Sequence, residues 1–276
     1  MIKPLKYLIL CLTLATHLEL FAGEIELAEQ LFQNHRHQQK IPLISTNFPQ
    51  LSIEQAYLIQ GDYVKKRLAN KKAAGFKAGL TAKVIQQQFG LEQALTGVLF
   101  QNGDLNPNQS IKLSQFQRLM LETELGFEIG QTIKHPLTNI IEFKQHLKTI
   151  FPVIELPDLG FVSKPQSIDI IAANVGSTAF IKGTPISPLA HLDLNILHVT
   201  LTQNGKIVNS GQGADALGNQ WEAALWLVNK VIAQGWTLEP GQFLITGAIG
   251  KMIPAIVGNY QADFGILGKI AFSIEP

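Results

Sequence analysis

Four groups of residues in this chain of 276 could do chemistry. The first is Glu122-Thr123-Glu124, inside LMLETELGFEIG. On a strand, residues i and i+2 share a face, so both carboxylates point the same way. Two anions side by side repel unless a proton or a cation sits between them. A divalent ion is one solution, and oxygen-only ligands favour magnesium, manganese or calcium. Two solvated glutamates on an exposed strand are the other, and Glu128 would share the same face. The second group is Glu155, flanked by the apolar run Phe151-Pro152-Val153-Ile154 and by Leu156. A carboxylate buried there needs a partner. It is either a third metal ligand or a hydrogen-bonded structural residue. The third is Lys77, set between Gly75 and Gly79 in GFKAGLT. Tight backbone can deliver such a lysine into a cleft, where it titrates or stabilises an anion. An ordinary surface lysine in a loop has the same spacing. The fourth comprises Asn174–Ser177 and Thr246-Gly247-Ala248, which offer polar side chains and flexible backbone to a ligand.

Other chemistries are excluded. Gly211-Gln212-Gly213 lacks the third glycine of a dinucleotide-binding turn, because Ala216 stands there. The histidines form no H-E-x-x-H pair, and no serine sits in a nucleophile elbow. His35 and His37, two apart, point to different faces of a helix and make a poor metal pair. Lys and Arg number 22 against 21 Asp and Glu, a net charge of +1 that leaves no electrostatic footprint for nucleic acid. A single cysteine rules out an intrachain disulfide framework and a cysteine-based zinc site.

The elements that must position these groups are legible in outline. Residues 1–23 have the layout of a secretory signal peptide: basic Lys3 and Lys6, the apolar run Tyr7–Ala15, then small Ala22 and Gly23. The run is short for a membrane span. Removing residues 1–23 takes away Lys3, Lys6, Glu19 and Cys11, leaving 20 basic and 20 acidic residues and no cysteine. That composition suits an oxidising compartment, periplasmic or extracellular. No stable membrane insertion is expected after cleavage.

Residues 24–110 read as a helical N-terminal region. Ile25, Leu27, Ala28, Leu31 and Phe32 stripe one helix over 24–39. Ser52 and Gln55 form a capping box for a second, which ends in Lys65-Lys66-Arg67. The loop QNGDLNPNQS, 101–110, marks a boundary to a β-rich domain over 111–276. There, Asn139 and Glu142 predict a helix with Ile140, Phe143, Leu147 and Ile150 on its face. Asn204-Gly205 predicts a hairpin, 221–233 a helix stopped by Gly235, and 242–246 a strand. The tail over 260–274 reads as two strands around Gly265 and Gly268. The fold class is α+β with a mixed or antiparallel sheet.

Taken in order, these pieces resemble the 2-hydroxypenta-2,4-dienoate (2-oxopent-4-enoate) hydratases and the 4-oxalocrotonate decarboxylases of the fumarylacetoacetase superfamily. The likeness runs from EQAYLIQ at 54–60 through GFKAGLT, VIQQQFG, GVLF and ETELGFEIG, on to PVIE at 152–155 and GQFLITGAIG at 241–250. It implies the mixed β-sheet roll of the fumarylacetoacetase C-terminal domain, preceded by a helical part. It implies Mg2+ or Mn2+ held by Glu122, Glu124 and Glu155 and chelated by a small 2-oxo acid, with Lys77 assisting proton transfer. It implies substrate contacts from Leu80, Asn174, Ser177, Thr246, Gly247 and Ala248, and a homo-oligomeric assembly. The chain departs from the family pattern at Leu95 and Thr96, where an acidic residue is common, and at Ala173, where an aspartate stands. A non-catalytic exported binder of small oxo acids is therefore a second expectation, and an acylpyruvate-type C–C hydrolase a third.

Overall fold

The computed structural model describes residues 23–187 and 192–276. Apart from Gly23, the expected leader lies outside the described residues. No described helix is long and apolar enough to cross a membrane.

Helix α1 covers 23–36, followed by α2 (Ile44–Asn47) and α3 (Ile53–Leu68). Leu27, Ala28 and Leu31 of the α1 stripe are buried. The Ser52 hydroxyl accepts from Gln55 N, and the Gln55 side chain accepts from Ser52 N, so the capping box starts α3 as its residues predict. Lys65, Lys66 and Arg67 close its last turn, where cations offset the unpaired carbonyls.

The helical reading of 24–110 stops there. From Ala73 the chain enters strand β1 (Ala73–Gly79), then helix α4 (Lys83–Gln88), β2 (Leu95–Phe100), β3 (Asp104–Leu105) and β4 (Ser110–Lys112). Next come β5 (Met120–Ile129), α5 (Ile140–Gln145), β6 (Leu147–Leu156), α6 (Ser167–Ala172), β7 (Ala179–Lys182), β8 (His198–Gln203) and β9 (Lys206–Gln212). Helix α7 (Gln220–Ala233), β10 (Phe243–Ile245), β11 (Ile253–Pro254), β12 (Gly258–Asp263) and β13 (Lys269–Glu275) complete the order.

The strands form two mixed sheets. The larger runs β2-β1-β10-β5-β6-β7-β3, with β11 added to β5; the smaller runs β4-β13-β12-β8-β9. The expected boundary at 101–110 therefore does not separate helices from sheet. β1 and β2 lie before it and sit in the same sheet as β5 and β6, while β3 lies within it and pairs with β7. β1 is mostly glycine and alanine and β2 is buried on both faces, so neither shows hydrophobic alternation. Gly75 is needed there because a Cβ would run into the Phe243 carbonyl of β10, and Gly79 because one would meet Val175 Cγ1.

The helix that starts at Asn139 also ends early, at Gln145. Leu147 and Ile150 belong to β6, not to the helix face. The run Thr149-Ile150-Phe151-Pro152-Val153-Ile154 is β-branched and aromatic, and pairing with all of β5 outweighs one more helical turn. The hairpin at Asn204-Gly205 forms as its residues predict, with both at positive φ (49° and 79°).

One apolar core ties both sheets to the helices. It contains Leu121, Leu125 and Phe127 of β5, Leu227 and Val228 of α7, and Phe264 and Ile274 near the smaller sheet.

Candidate metal-binding active site

β5 and β6 are antiparallel neighbours in a register that puts Glu122 directly opposite Glu155, and Glu124 opposite Val153. Because i and i+2 share a face, all three carboxylates gather on one side of the sheet. Thr123, on the other side, binds Ile249 O through its hydroxyl and anchors the segment after β10. Each of Glu122, Glu124 and Glu155 offers one oxygen within 4.8 Å of the other two. Glu124 and Glu155 are completely buried and Glu122 is half-buried.

Glu128 shares the parity but not the cluster. Two pleats further along β5, it bonds Lys148 Nζ at 3.0 Å and Thr149 Oγ1 at 2.6 Å.

Lys77 is neither in a loop nor at the surface. It lies inside β1, in register with Ile245 of β10, and is 2% exposed. β10 and β5 separate β1 from β6, so the two backbones stand about 14 Å apart at ordinary strand spacing. The long side chains of Lys77 and Glu155 close that gap: Lys77 Nζ donates to Glu155 Oε1 at 2.5 Å. Its second acceptor is Val175 O at 3.2 Å.

The electrostatics follow from crowding three carboxyls and one ammonium in a dry place. Burial, reinforced by the charge on Glu155, pushes the Glu122 carboxyl up to about 8. Burial, with Glu155 and Glu122 adding to it, holds Glu124 well above the usual carboxylate range; the N–H of Gly247 pulls the other way. For Lys77, burial opposes the charge, but Glu155, Glu122 and Glu124 outweigh it and raise its pKa. At neutral pH the cluster therefore holds an ammonium and protons shared among carboxyls.

Two oxygens reveal what the cluster fits. Glu124 Oε1 and Glu155 Oε2 are buried and have no hydrogen-bond partner. Nearly all buried polar atoms in folded proteins are paired. Two orphans in a cluster of three carboxylates with oxygens within 4.8 Å of one another, an all-oxygen donor set, fit a hard divalent cation held by Glu122, Glu124 and Glu155.

The remaining expected site residues are distributed as follows. Gly247 N donates to Glu124 Oε2 at 2.7 Å, from a backbone at φ 105° that glycine alone adopts readily. A Cβ there would also run into Thr81. Ala248 follows, half-buried. Leu80 directly follows β1 at positive φ (52°), half-buried against the cluster of Leu91, Leu95 and Ile168. Asn174 is buried, and both ends of its side chain are engaged: Oδ1 accepts from Val98 N and Nδ2 donates to Val98 O. The Thr246 hydroxyl donates to Gln220 Oε1 on α7 at 2.6 Å. Ser177 is buried beside Arg67, which donates to its carbonyl.

Sequence reasoning missed the turn that holds Lys77 from behind. Asn174, Val175 and Gly176 all have positive φ (55°, 53° and 67°). Asparagine and glycine tolerate that region; a β-branched valine does so only when its surroundings force it. The Asn-x-Gly spacing hinted at a left-handed turn, but nothing in the sequence placed Val175 O against Lys77.

No family model matches the chain. Similar proteins nonetheless span nearly all of it. A 2-keto-4-pentenoate hydratase of Paraburkholderia xenovorans (strain LB400) is 29% identical over 254 residues, 91% of this chain and 94% of its own. The solved 4-oxalocrotonate decarboxylase from Pseudomonas putida G7, complexed with magnesium and adipate, superposes with a TM-score of 0.86 at 25% identity, over 92% of this chain and 98% of that one. A fumarylpyruvate hydrolase from Pseudomonas aeruginosa shares the fold at a TM-score of 0.57 and 12% identity, over 72% of this chain and 88% of its own. With the ordered motifs and the two-sheet fold, these matches give the chain homologues named 2-keto-4-pentenoate hydratase and 4-oxalocrotonate decarboxylase, and structural neighbours from the fumarylacetoacetate hydrolase family.

Proposed function

We propose that the protein is a secreted, divalent-metal-dependent lyase of the hydratase or decarboxylase type, acting on a small 2-oxo or 2-hydroxydienoate acid. The observation that carries this reading is the cluster itself: three convergent glutamates, with an unpartnered buried oxygen on Glu124 and on Glu155, and a buried lysine ion-paired to Glu155 through its other oxygen. The names of the relatives support the reaction class, and the magnesium in the decarboxylase complex supports the ion. Magnesium or manganese would be held by Glu122, Glu124 and Glu155. When bound, it supplies Lewis-acid stabilisation of the negative charge that develops on a 2-oxo acid.

The chain's own residues then divide the work. Lys77 enters the reaction as an ammonium, since its carboxylate neighbours raise its pKa. It can stabilise developing negative charge and deliver a proton from Nζ, and Glu155 Oε1 and Val175 O fix where that proton is presented. Gly247 orients Glu124 through its N–H. Leu80, Gly247 and Ala248 are proposed as the substrate-facing wall. Asn174, Ser177 and Thr246 are proposed to act on the substrate through the strands and turn they hold. The hydrolase alternative would want a histidine base near the carboxylates. His146 sits nine residues before Glu155, at the opposite end of β6, and His135 is exposed.

Turnover of 2-hydroxypenta-2,4-dienoate and carbon dioxide release from 4-oxalocrotonate, each with and without magnesium, test the reading. Activity is expected only with the ion, and Lys77→Met is expected to abolish it while leaving metal affinity within severalfold. Metal-dependent oxalate binding with neither reaction would favour the exported binder instead.

Secretion is proposed on the residues of the leader, and is checked by the N-terminal mass of the exported protein. A homo-oligomer is proposed on the exposed Ile196, Ile207, Ile256 and Ile266 around the smaller sheet, and is checked by light scattering.

A further inference from the structure

A second cavity, of about 300 Å³, is lined by Ala173 and Gly176–Thr178, the residues at and around the left-handed turn. Its walls come from α1, α3 and the segment 173–178, and carry Arg36, Arg67, Tyr63, Gln117, Asp158 and Ser177. We propose that this cavity is a site for a small anion, a carboxylate or an inorganic phosphate, and that its occupant bears on Lys77 through the turn Asn174–Gly176.

The charge balance of the wall is the first argument. Arg36, which is exposed, and Arg67 line the cavity with one carboxylate, Asp158, and that carboxylate is already committed. Asp158 accepts from the backbone N–H groups of Gln117, Arg118 and Gly160. Among the described residues neither Arg36 nor Arg67 has a carboxylate within ion-pair distance. The wall is therefore net cationic.

The second argument is preorganisation. The Arg67 guanidinium lies 3.8 Å over the Phe100 ring and is half-buried. One of its nitrogens donates to Ser177 O at 3.1 Å and to Tyr63 OH at 3.3 Å. Its remaining N–H donors have no partner among the described residues. A planar fork held flat on an aromatic face, with donors to spare, matches the two oxygens of a carboxylate or phosphate.

The third argument is the connection. Arg67 grips the carbonyl of Ser177, the residue that follows the turn. Val175, at the centre of the turn, presents its carbonyl to Lys77 Nζ at 3.2 Å. A valine at φ 53° and ψ 34° is a strained arrangement, held in place by its surroundings. An anion that draws Arg67 toward the cavity changes the grip on one end of a three-residue turn whose middle carbonyl binds the catalytic lysine.

The binding half of this proposal is independent of the proposed reaction; only the meaning of the coupling rests on Lys77 acting as proposed. The test is calorimetric titration of the magnesium-loaded protein with phosphate and, separately, with succinate. At least one is expected to bind saturably, with affinity at least tenfold lower in Arg67→Met and severalfold lower in Arg36→Gln, and unchanged in Glu124→Gln. Phosphate alone points to an oxyanion ligand, succinate alone to a carboxylate. Binding that survives Arg67→Met but vanishes in Glu124→Gln would put the anion on the metal and overturn the site. So would no binding at tens of millimolar. Should Arg67→Met not fold, Arg36→Gln and Arg67→Lys, expected to bind more weakly than the parent, carry the test. Hydrogen exchange over 173–178 reads the coupling without any activity. It is expected to quicken on anion addition in the parent, as Arg67 is drawn from the Ser177 carbonyl, and not in Arg67→Met, and unchanged exchange in a protein that binds the anion would overturn the coupling.

Discussion

If Glu122 and Glu124 hold protons at neutral pH, a divalent cation must displace them, and its affinity must rise with pH. The size of the effect can be worked from Glu122, whose carboxyl titrates at about 8. At pH 8 half of that carboxyl is ionised; at pH 6 about 1% is. The apparent affinity for magnesium should therefore fall about fiftyfold from pH 8 to pH 6 on account of Glu122 alone, about 2 kcal/mol. Glu124, raised by the same burial and crowding, acts in the same direction and steepens the slope. Lys77 does not offset it, because it carries its proton throughout. The assay is titration calorimetry at pH 6, 7 and 8, repeated in two buffers of different ionisation heat so that released protons are counted. One to two protons per ion are expected at pH 6.5. Glu122→Gln should bind more weakly and lose about one proton from the count. An affinity constant within twofold across this range, with no protons released, would mean that the carboxylates are already ionised in the metal-free protein. The reading of a cluster held together by shared protons would then be wrong.

Three further outcomes are expected. Without metal, stability should decline as pH rises from about 4.5 through about 8, because the folded protein keeps a proton on Glu122 that the unfolded chain has lost; the slope is at most about 1.4 kcal/mol per pH unit for each such proton, and magnesium should restore the loss, as urea denaturation at several pH values would reveal. Gly247→Ala puts a side chain against Thr81 at a φ of 105° and displaces the N–H that holds Glu124, so metal affinity should drop at least tenfold in a protein that still folds; normal affinity would exclude that N–H from a positioning role. Asn174→Ala leaves the buried N–H and C=O of Val98 unpartnered and should cost about 2–5 kcal/mol in a denaturation series, with a loss under 1 kcal/mol counting against the bracket that Asn174 forms on β2.

The site was legible in the sequence where its geometry depends on a period of two, and not where it depends on tertiary closeness. Glu122-x-Glu124 on a strand places both carboxyls on one face whatever lies beyond it, and the Ser52–Gln55 capping box is equally local. The glycines around Lys77 point to it in the sequence, but for a different reason from the one the structure shows. Those glycines do not make a loop; Gly75 and Gly79 let β10 and Val175 come close to a strand. β1 and β2 went unread because their residues carry little alternation, and the early end of α5 because Leu147 and Ile150 fit a helix face as well as a strand. Arg67 gave no signal at all. In sequence it is one more cation in the last turn of a helix, and only the packing of α3 against 173–178 turns it toward a carbonyl 110 residues away.

The register between β5 and β6 carries a last argument. Glu122 and Glu155 are directly opposed, a pair that becomes like-charged once Glu122 ionises and then costs stability, as such pairs do in an ordinary sheet. A one-residue slip would separate the two carboxylates onto opposite faces, and it does not occur, because it would also turn Leu121, Leu125 and Phe127 out of the core. The apolar face of β5 thus enforces the unfavourable pairing on its polar face. Fold stability and site chemistry pull against each other across a single strand. A cation between the carboxylates relieves the conflict without changing the register, so the energy that the core spends on opposing two glutamates reappears as metal affinity. Replacing Glu122 alone by glutamine, which keeps the Lys77–Glu155 ion pair, should therefore stabilise the metal-free fold relative to the parent above about pH 8, where Glu122 ionises. Equal stability of the variant and the parent at pH 9 would show that the opposed pair carries no repulsion for a metal to relieve.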